Sequence, residues 1–331
     1  MKRAAIMFCT VAMVLSSACF ALAAEFPKAK LVIGTAGPSS EDNHLYQFCE
    51  KMKKDVAAKS GGNIVIEPHY NGALGNERDL LEGVQLGTVD MCIVSSGPLG
   101  NFVRSTLAFD FPFLFRDWEH VDKVFQGEIG AAMAKEVEDK SGMKVLIWAV
   151  NGFRQLTNSK RAIKAPADLA GLKIRTMENK IHMATFAALG ADPTPMSTGE
   201  LYTSLQQGTV DGMESPLSYI LPSKFTEVQK FMSLTNHFYA PSIVVINQGR
   251  FSAFPEHVQK MLLETARDAY VFQLDFSRNI DKKMVEAALA QGVEVTPTDQ
   301  LDMDGFREKT KKVYADNPEF ADIIKKIQNV Q

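Results

Sequence analysis

The stretch from Leu172 to Ile220, LKIRTMENKIHMATFAALGADPTPMSTGELYTSLQQGTVDGMESPLSYI, switches between strand and helix patterns and carries polar groups at the joints. Leu172-Lys173-Ile174-Arg175 alternates apolar and polar as a half-buried strand does. That places Arg175 where a strand leaves its sheet, the edge at which α/β layers take ligands. Ser197-Thr198-Gly199-Glu200 has the spacing of a capping box, so it predicts a helix whose N-terminus favours an anion. A second strand runs into Asp211-Gly212-Met213-Glu214-Ser215-Pro216, where Ser215 can donate to the same ligand and Glu214 can orient an arginine. The segment reads as half of a carboxylate clamp.

Its C-terminal part has an echo. Leu81-Glu82-Gly83-Val84-Gln85-Leu86-Gly87-Thr88-Val89-Asp90 is followed by Ser96-Gly97-Pro98-Leu99. Leu201-Tyr202-Thr203-Ser204-Leu205-Gln206-Gln207-Gly208-Thr209-Val210-Asp211 is followed by Ser215-Pro216-Leu217. In each copy a helix ends at a glycine, a strand starts at Thr-Val-Asp, and a Ser/Pro turn follows, so two lobes share one construction. Upstream, Lys30–Thr35 and Asn63–Pro68 read as strands, with helices at about 43–59 and from Glu77 to Leu86. This alternation implies parallel α/β layers. Ser242–Asn247 is a buried strand. Pro255 to about Gln291 is amphipathic through Val258, Met261, Leu262, Ala266 and Tyr270. At 1.5 Å per residue such a helix is on the order of 50 Å long, enough to lie across both lobes.

Met1-Lys2-Arg3 followed by an apolar run to Leu22 and the Ala21-Leu22-Ala23 site reads as a secretory signal over residues 1–24. Lys2 and Arg3 are its only charges, so the 36 basic side chains become 34 against 39 acidic ones, a balance that disfavours nucleic acid as a partner. Cys49 and Cys92 alone remain, too few for a disulfide framework. A hydrophobic content of 46% must supply the core. The expected division is lobe 1 over 25–151 plus about 241–280, and lobe 2 over 152–240 plus about 281–331 with the C-terminal helices.

No hydrolase elbow, phosphate loop, paired-histidine metal motif or C-x-x-C is present, so no catalytic residue, cofactor or metal site is assigned. Arg154 follows the apolar strand Val145–Val150 beside Gly152. Two arginines on neighbouring strand ends would hold a planar carboxylate bidentately, as lysine cannot. Glu77 opens a helix, where a ligand hydroxyl is one partner for it. Phe111, Phe113, Tyr202 and Tyr239 belong to cores or lobe rims. A periplasmic enzyme using Glu77 or His44 as a base is the rival from another class, and a periplasmic ligand sensor is a third.

Taken in order, Gly75-Asn76-Glu77-Arg78, Gly87-Thr88-Val89-Asp90, Gly152-Phe153-Arg154-Gln155, Ala170-Gly171-Leu172-Lys173-Ile174-Arg175, Pro193-Thr194-Pro195-Met196 and Gln207-Gly208-Thr209-Val210-Asp211-Gly212 resemble the DctP-type solute-binding proteins of tripartite ATP-independent periplasmic (TRAP) transporters. The resemblance covers the whole mature chain. It implies the two-lobed periplasmic-binding-protein fold, with hinge strands and a long helix spanning both lobes. It also implies an organic acid held at Arg175 and delivered to membrane permease subunits. By the same resemblance Arg154 is a second site arginine, and Thr35, Glu77, Ser95 and Thr198 line the pocket; His44 and Tyr239 complete the candidate ligand-binding set with Ser215. Relatives usually have Gly-Gln-Glu-Asn-Pro where this chain has Gly212-Met213-Glu214-Ser215-Pro216. Ser95, Pro98 and Thr198 replace residues typical of sialate-binding members. A sugar acid and a C4-dicarboxylate both remain open.

Overall fold

The computed structural model describes residues 25–331, and the signal sequence read over residues 1–24 lies outside the described residues. Eleven strands occur in this range. They are β1 (Ala29–Gly34), β2 (Ile64–His69), β3 (Met91–Ser95), β4 (Met143–Ala149), β5 (Arg154–Asn158), β6 (Lys173–Thr176), β7 (Asp192–Pro195), β8 (Gly212–Pro216), β9 (Phe231–Ser233), β10 (Ser242–Asn247) and β11 (Glu294–Thr296). They form two sheets, ordered β2-β1-β3-β10-β4 and β11-β9-β5-β8-β6-β7. In the first, β1 lies parallel to β2 and β3 while β10 runs antiparallel to β3. In the second, β6 lies parallel to β7 and β8 while β5 runs antiparallel to β8. The lobes therefore repeat one pattern, as the echo in the sequence predicts.

The repeated Gly-Thr-Val-Asp turns explain how. Gly87 and Gly208 take left-handed conformations at φ 78° and 71°, where a side chain would be strained. After each turn the aspartate folds inward: Asp90 Oδ2 accepts from Val32 N at 2.8 Å, and Asp211 Oδ2 accepts from Lys173 N at 2.9 Å. These bonds fix the middle of β1 and the start of β6 against the incoming strand. They also correct one boundary, because β3 and β8 begin after the aspartate rather than at Thr-Val-Asp.

Both faces of the first sheet are covered, as parallel layers require. Leu31, Ile33, Met91 and Ile93 meet Val258, Met261, Leu262 and Ala266 of the helix Glu256–Ala290, whereas Cys92 and Val94 join an aromatic cluster on the other face. Cys49 belongs to the first of these clusters and Cys92 to the second; both are buried free thiols. The helix Glu256–Ala290 has 35 residues and does span the lobes. Its residues to Leu274 pack in the first lobe, while Ile280, Met284 and Ala288 pack with Leu201, Leu205, Val210 and Met213 of the second.

Two connectors join the lobes beside this helix, residues 150–153 between β4 and β5, and residues 234–241 between β9 and β10. The tail divides differently from the expected assignment of 281–331 to lobe 2. Phe306 packs with Leu169, Phe186 and Phe238 in lobe 2. Phe320, Ile324 and Ile327 instead pack with Leu107, Phe111 and Phe125 of lobe 1, because the apolar face of the helix Ala321–Gln328 finds its complement there.

Candidate functional site

Between the lobes lies a cavity whose walls include Glu77, Ser95, Arg154, Arg175, Thr198 and Ser215. Six of the nine sequence candidates thus meet in one place. A smaller adjoining space shares Glu77, Arg175, Met177 and Thr198 and reaches Asn76 and Ser197.

Arg175 is the penultimate residue of β6 and is buried. Its Nε and Nη2 both donate to Met196 O, at 2.9 and 2.7 Å. The plane of the guanidinium is thereby set, and Nη1 is left unbonded in the cavity wall. Burial lowers its pKa, the Glu214 and Glu77 carboxylates oppose that shift, and Arg154 adds to it.

Arg154 differs. It opens β5, pairs through Nε with Glu214 Oε2, and donates from Nη2 to Glu214 Oε1 at 2.9 Å and Glu214 O at 2.8 Å. Both partners are buried. Burial would push the Glu214 pKa up, but the Arg154 charge and its hydrogen bonds, with the His237 ring close by, hold it well below the usual range. His237 Nε2 stands 3.3 Å from Glu214 Oε2, and burial lowers the His237 pKa. The expected clamp of arginines on neighbouring strands is therefore corrected: β8 lies between β5 and β6, and the Arg154 charge is already matched by Glu214, the orienting role read for that residue.

Glu77 begins the helix Glu77–Leu86, behind a capping box formed by Asn76 and Asp79. Its Oε1 accepts from Ser95 N at 2.7 Å, and its other oxygen is not engaged. Burial raises its pKa, against that hydrogen bond and the two arginines. The capping box expected at Ser197–Glu200 does not form. Ser197 Oγ donates to Glu200 at 2.8 Å instead of accepting from the backbone, and a turn of 3₁₀ helix, Thr198–Glu200, leads into the helix Leu201–Gln206.

Three candidates stand outside the cavity. Thr35 lies just past β1, and its hydroxyl accepts from Gly37 N at 3.1 Å. His44 seals the base: Nδ1 meets Ser218 Oγ at 2.8 Å and Nε2 meets Asn151 Oδ1 at 3.1 Å. Burial drives its pKa down to about 3, which leaves the imidazole neutral. Tyr239 packs among Phe115, Trp118, Phe125 and Phe153. Sequence reasoning missed Asn151, Met177, Leu201 and Tyr219 in the lining. Asn151 donates to Ser95 Oγ at 3.3 Å and Ala240 O at 2.7 Å, and Tyr219 OH donates across the cleft to Ala36 O at 3.2 Å. With Asn43 donating to Ser218 O at 2.9 Å, these bonds tie the lobes around the cavity. No cluster of potential metal ligands occurs among the described residues.

A desolvated arginine and several hydroxyls enclosed between two hinged lobes suit capture of a small anion. Residues 35–319 match the family model for bacterial extracellular solute-binding protein, family 7, the DctP family. The chain belongs to this family. The solute-binding protein is 42% identical over 257 residues to a solute-binding protein of Verminephrobacter eiseniae, covering 78% of this chain and 76% of the relative. It is 34% identical to the 2,3-diketo-L-gulonate-binding periplasmic protein of Escherichia coli, covering 88% and 90%. Among solved structures, a TRAP periplasmic solute-binding protein from a Polaromonas species bound to D-erythronate superposes with a TM-score of 0.88 at 40% identity, covering 92% of this chain and 99% of that one. Members of the family are substrate-binding proteins of TRAP transporters rather than enzymes, and the Escherichia coli and Polaromonas relatives are periplasmic. This protein is accordingly a TRAP solute-binding protein.

Proposed function

We propose that the protein captures a hydroxylated monocarboxylate, a sugar acid of the aldonate type, in the periplasm and delivers it unchanged to TRAP permease subunits. One observation carries this reading: Arg175 is the single cavity cation without a carboxylate in direct contact, and around it stand Glu77 and the hydroxyls of Ser95, Thr198 and Ser215. A ligand carboxylate pairs with Arg175, while Glu77 and the hydroxyls suit a polyol. A second carboxylate would meet Glu77 and find no free cation, which disfavours a C4-dicarboxylate. D-erythronate in the Polaromonas relative and galactonate in a 28% identical protein from Advenella mimigardefordensis support the same class.

The test is a thermal-shift screen of aldonates, uronates and C4-dicarboxylates, followed by calorimetry. Aldonates should stabilise most. Glu77→Gln should weaken them by about tenfold while barely affecting a deoxy acid of equal length. Preferential binding of succinate or malate would overturn the reading, and conversion of a bound acid into a product would favour the enzymatic alternative.

A further inference from the structure

A second cavity of about 580 Å³ opens to solvent elsewhere on the lobe seam, with Phe113, Phe115, Trp118, Phe153, Asp281 and Arg307 in its walls. It shares no lining residue with the ligand cleft. Phe153 and Arg154 are consecutive in an extended segment and serve one cavity each, as alternation of side chains requires. Its walls come from lobe 1, from both connectors and from lobe 2, with Asp281 on the helix that spans them.

The charges around this cavity are unevenly committed. Arg116 donates to Gln328 O at 3.0 Å and Val330 O at 2.5 Å, and so is spent on the C-terminal segment. Asp117 caps the helix Trp118–Phe125 by accepting from His120 N at 2.8 Å. Arg307 lies over the Phe113 ring at 5.7 Å and pairs with Asp304 at 3.7 Å. Lys283, two positions after Asp281, pairs with Asp42 at 2.7 Å. Asp281 alone has no hydrogen-bond or ion-pair partner among the described residues. Burial, with no offsetting cation, raises its pKa to about 6.

The rings beside it are suitably disposed. Trp118 and Phe153 stand 5.4 Å apart at 87°, two perpendicular walls that remain partly exposed. An aromatic corner and an uncompensated carboxylate together form the environment that stabilises a weakly hydrated cation, through ring quadrupoles and direct charge pairing. We propose that this cavity binds a compact organic cation, an ammonium or alkylammonium group seated against the Asp281 carboxylate and the Trp118 and Phe153 rings. The assignment is independent of which acid occupies the cleft. Because both lobes contribute walls, bound cation and bound acid report on one lobe arrangement, and any effect of one on the other's affinity must be reciprocal.

Titration of the full mature chain with tetramethylammonium chloride, against sodium chloride at matched ionic strength, tests it. Trp118 is one of two tryptophans, and the other, Trp148, is buried in the lobe 1 core, so a saturable fluorescence change reports on this cavity. The expected result is saturation with tetramethylammonium and none with sodium. Asp281→Asn should weaken the response at least about tenfold, with acid binding in the cleft unchanged as the check on folding. Arg307→Gln should leave the response intact or tighten it. An equal response to both salts, retention of affinity in Asp281→Asn, or its loss in Arg307→Gln would each overturn the assignment.

Discussion

Replacing Arg175 by glutamine separates ligand binding from folding. The guanidinium is held by two bonds to Met196 O, at 2.9 and 2.7 Å, which leave Nη1 to meet a carboxylate. Charge-assisted hydrogen bonds contribute about 1.5–3 kcal/mol each. Loss of two such bonds amounts to about 3–6 kcal/mol, or roughly 10² to 10⁴ in Kd. Folding should respond far less. Burial already works against the cation, so a neutral amide should change the unfolding free energy by only about 1 kcal/mol. Arg175→Lys keeps the charge, yet its one nitrogen cannot reproduce both the bonds to Met196 and the planar approach to the ligand. It should therefore fall between, roughly ten- to a hundredfold weaker than the parent. Titration calorimetry with the tightest aldonate and urea unfolding of the ligand-free protein measure the two quantities. Glutamine and parent affinities within threefold of each other would refute the assignment. A loss of stability as large as the loss of binding would move Arg175 from ligand recognition to the fold.

Two further outcomes follow from the buried polar groups. Glu214→Gln strips a buried arginine of its countercharge and should cost about 3–5 kcal/mol, whereas Arg154→Met with Glu214→Leu should cost less than either single change; additive losses in urea unfolding would show that the pair is not a unit. His44 titrates near 6.5 when unfolded but only near 3 when folded, so its contribution is complete above pH 6.5 and is lost as pH falls towards 3. In that window the stability of the parent should fall faster than that of His44→Gln, by at most about 1.4 kcal/mol per pH unit, and parallel denaturation curves across it would contradict a buried neutral imidazole.

The parts of this molecule legible from sequence were those governed by local rules. The glycine-ended helices, the repeated Gly-Thr-Val-Asp turns and the apolar strands announce two lobes, and a strand-end position suffices to bring Arg175 to the cleft. Local rules fail where a side chain has a choice of partner. Ser197 and Asn76 both begin capping patterns, but only Asn76 receives the reciprocal bond, because Ser197 turns its hydroxyl to Glu200. Thr35 and Tyr239 sit near the right strand ends, yet one folds onto Gly37 and the other into an aromatic cluster. Asn151 and Tyr219 escape a sequence reading because their roles depend on contacts distant in sequence, Asn151 with Ala240 of the other connector and Tyr219 with Ala36 across the cleft.

The long helix carries a mechanical consequence. Its segment to Leu274 is anchored in one core and its segment from Ile280 in the other, while Gln273 clasps Val150 N at 2.9 Å and His44 O at 3.0 Å. The two anchors meet at Phe276, which packs on the second core, and Ser277, which buries a hydroxyl without a partner, so opening of the cleft would load the rod there. That junction would act as a leaf spring clamped at both ends. Its stiffness enters the free energy of closure for every ligand alike, so residues 275–279 offer a means of scaling affinity without altering selectivity.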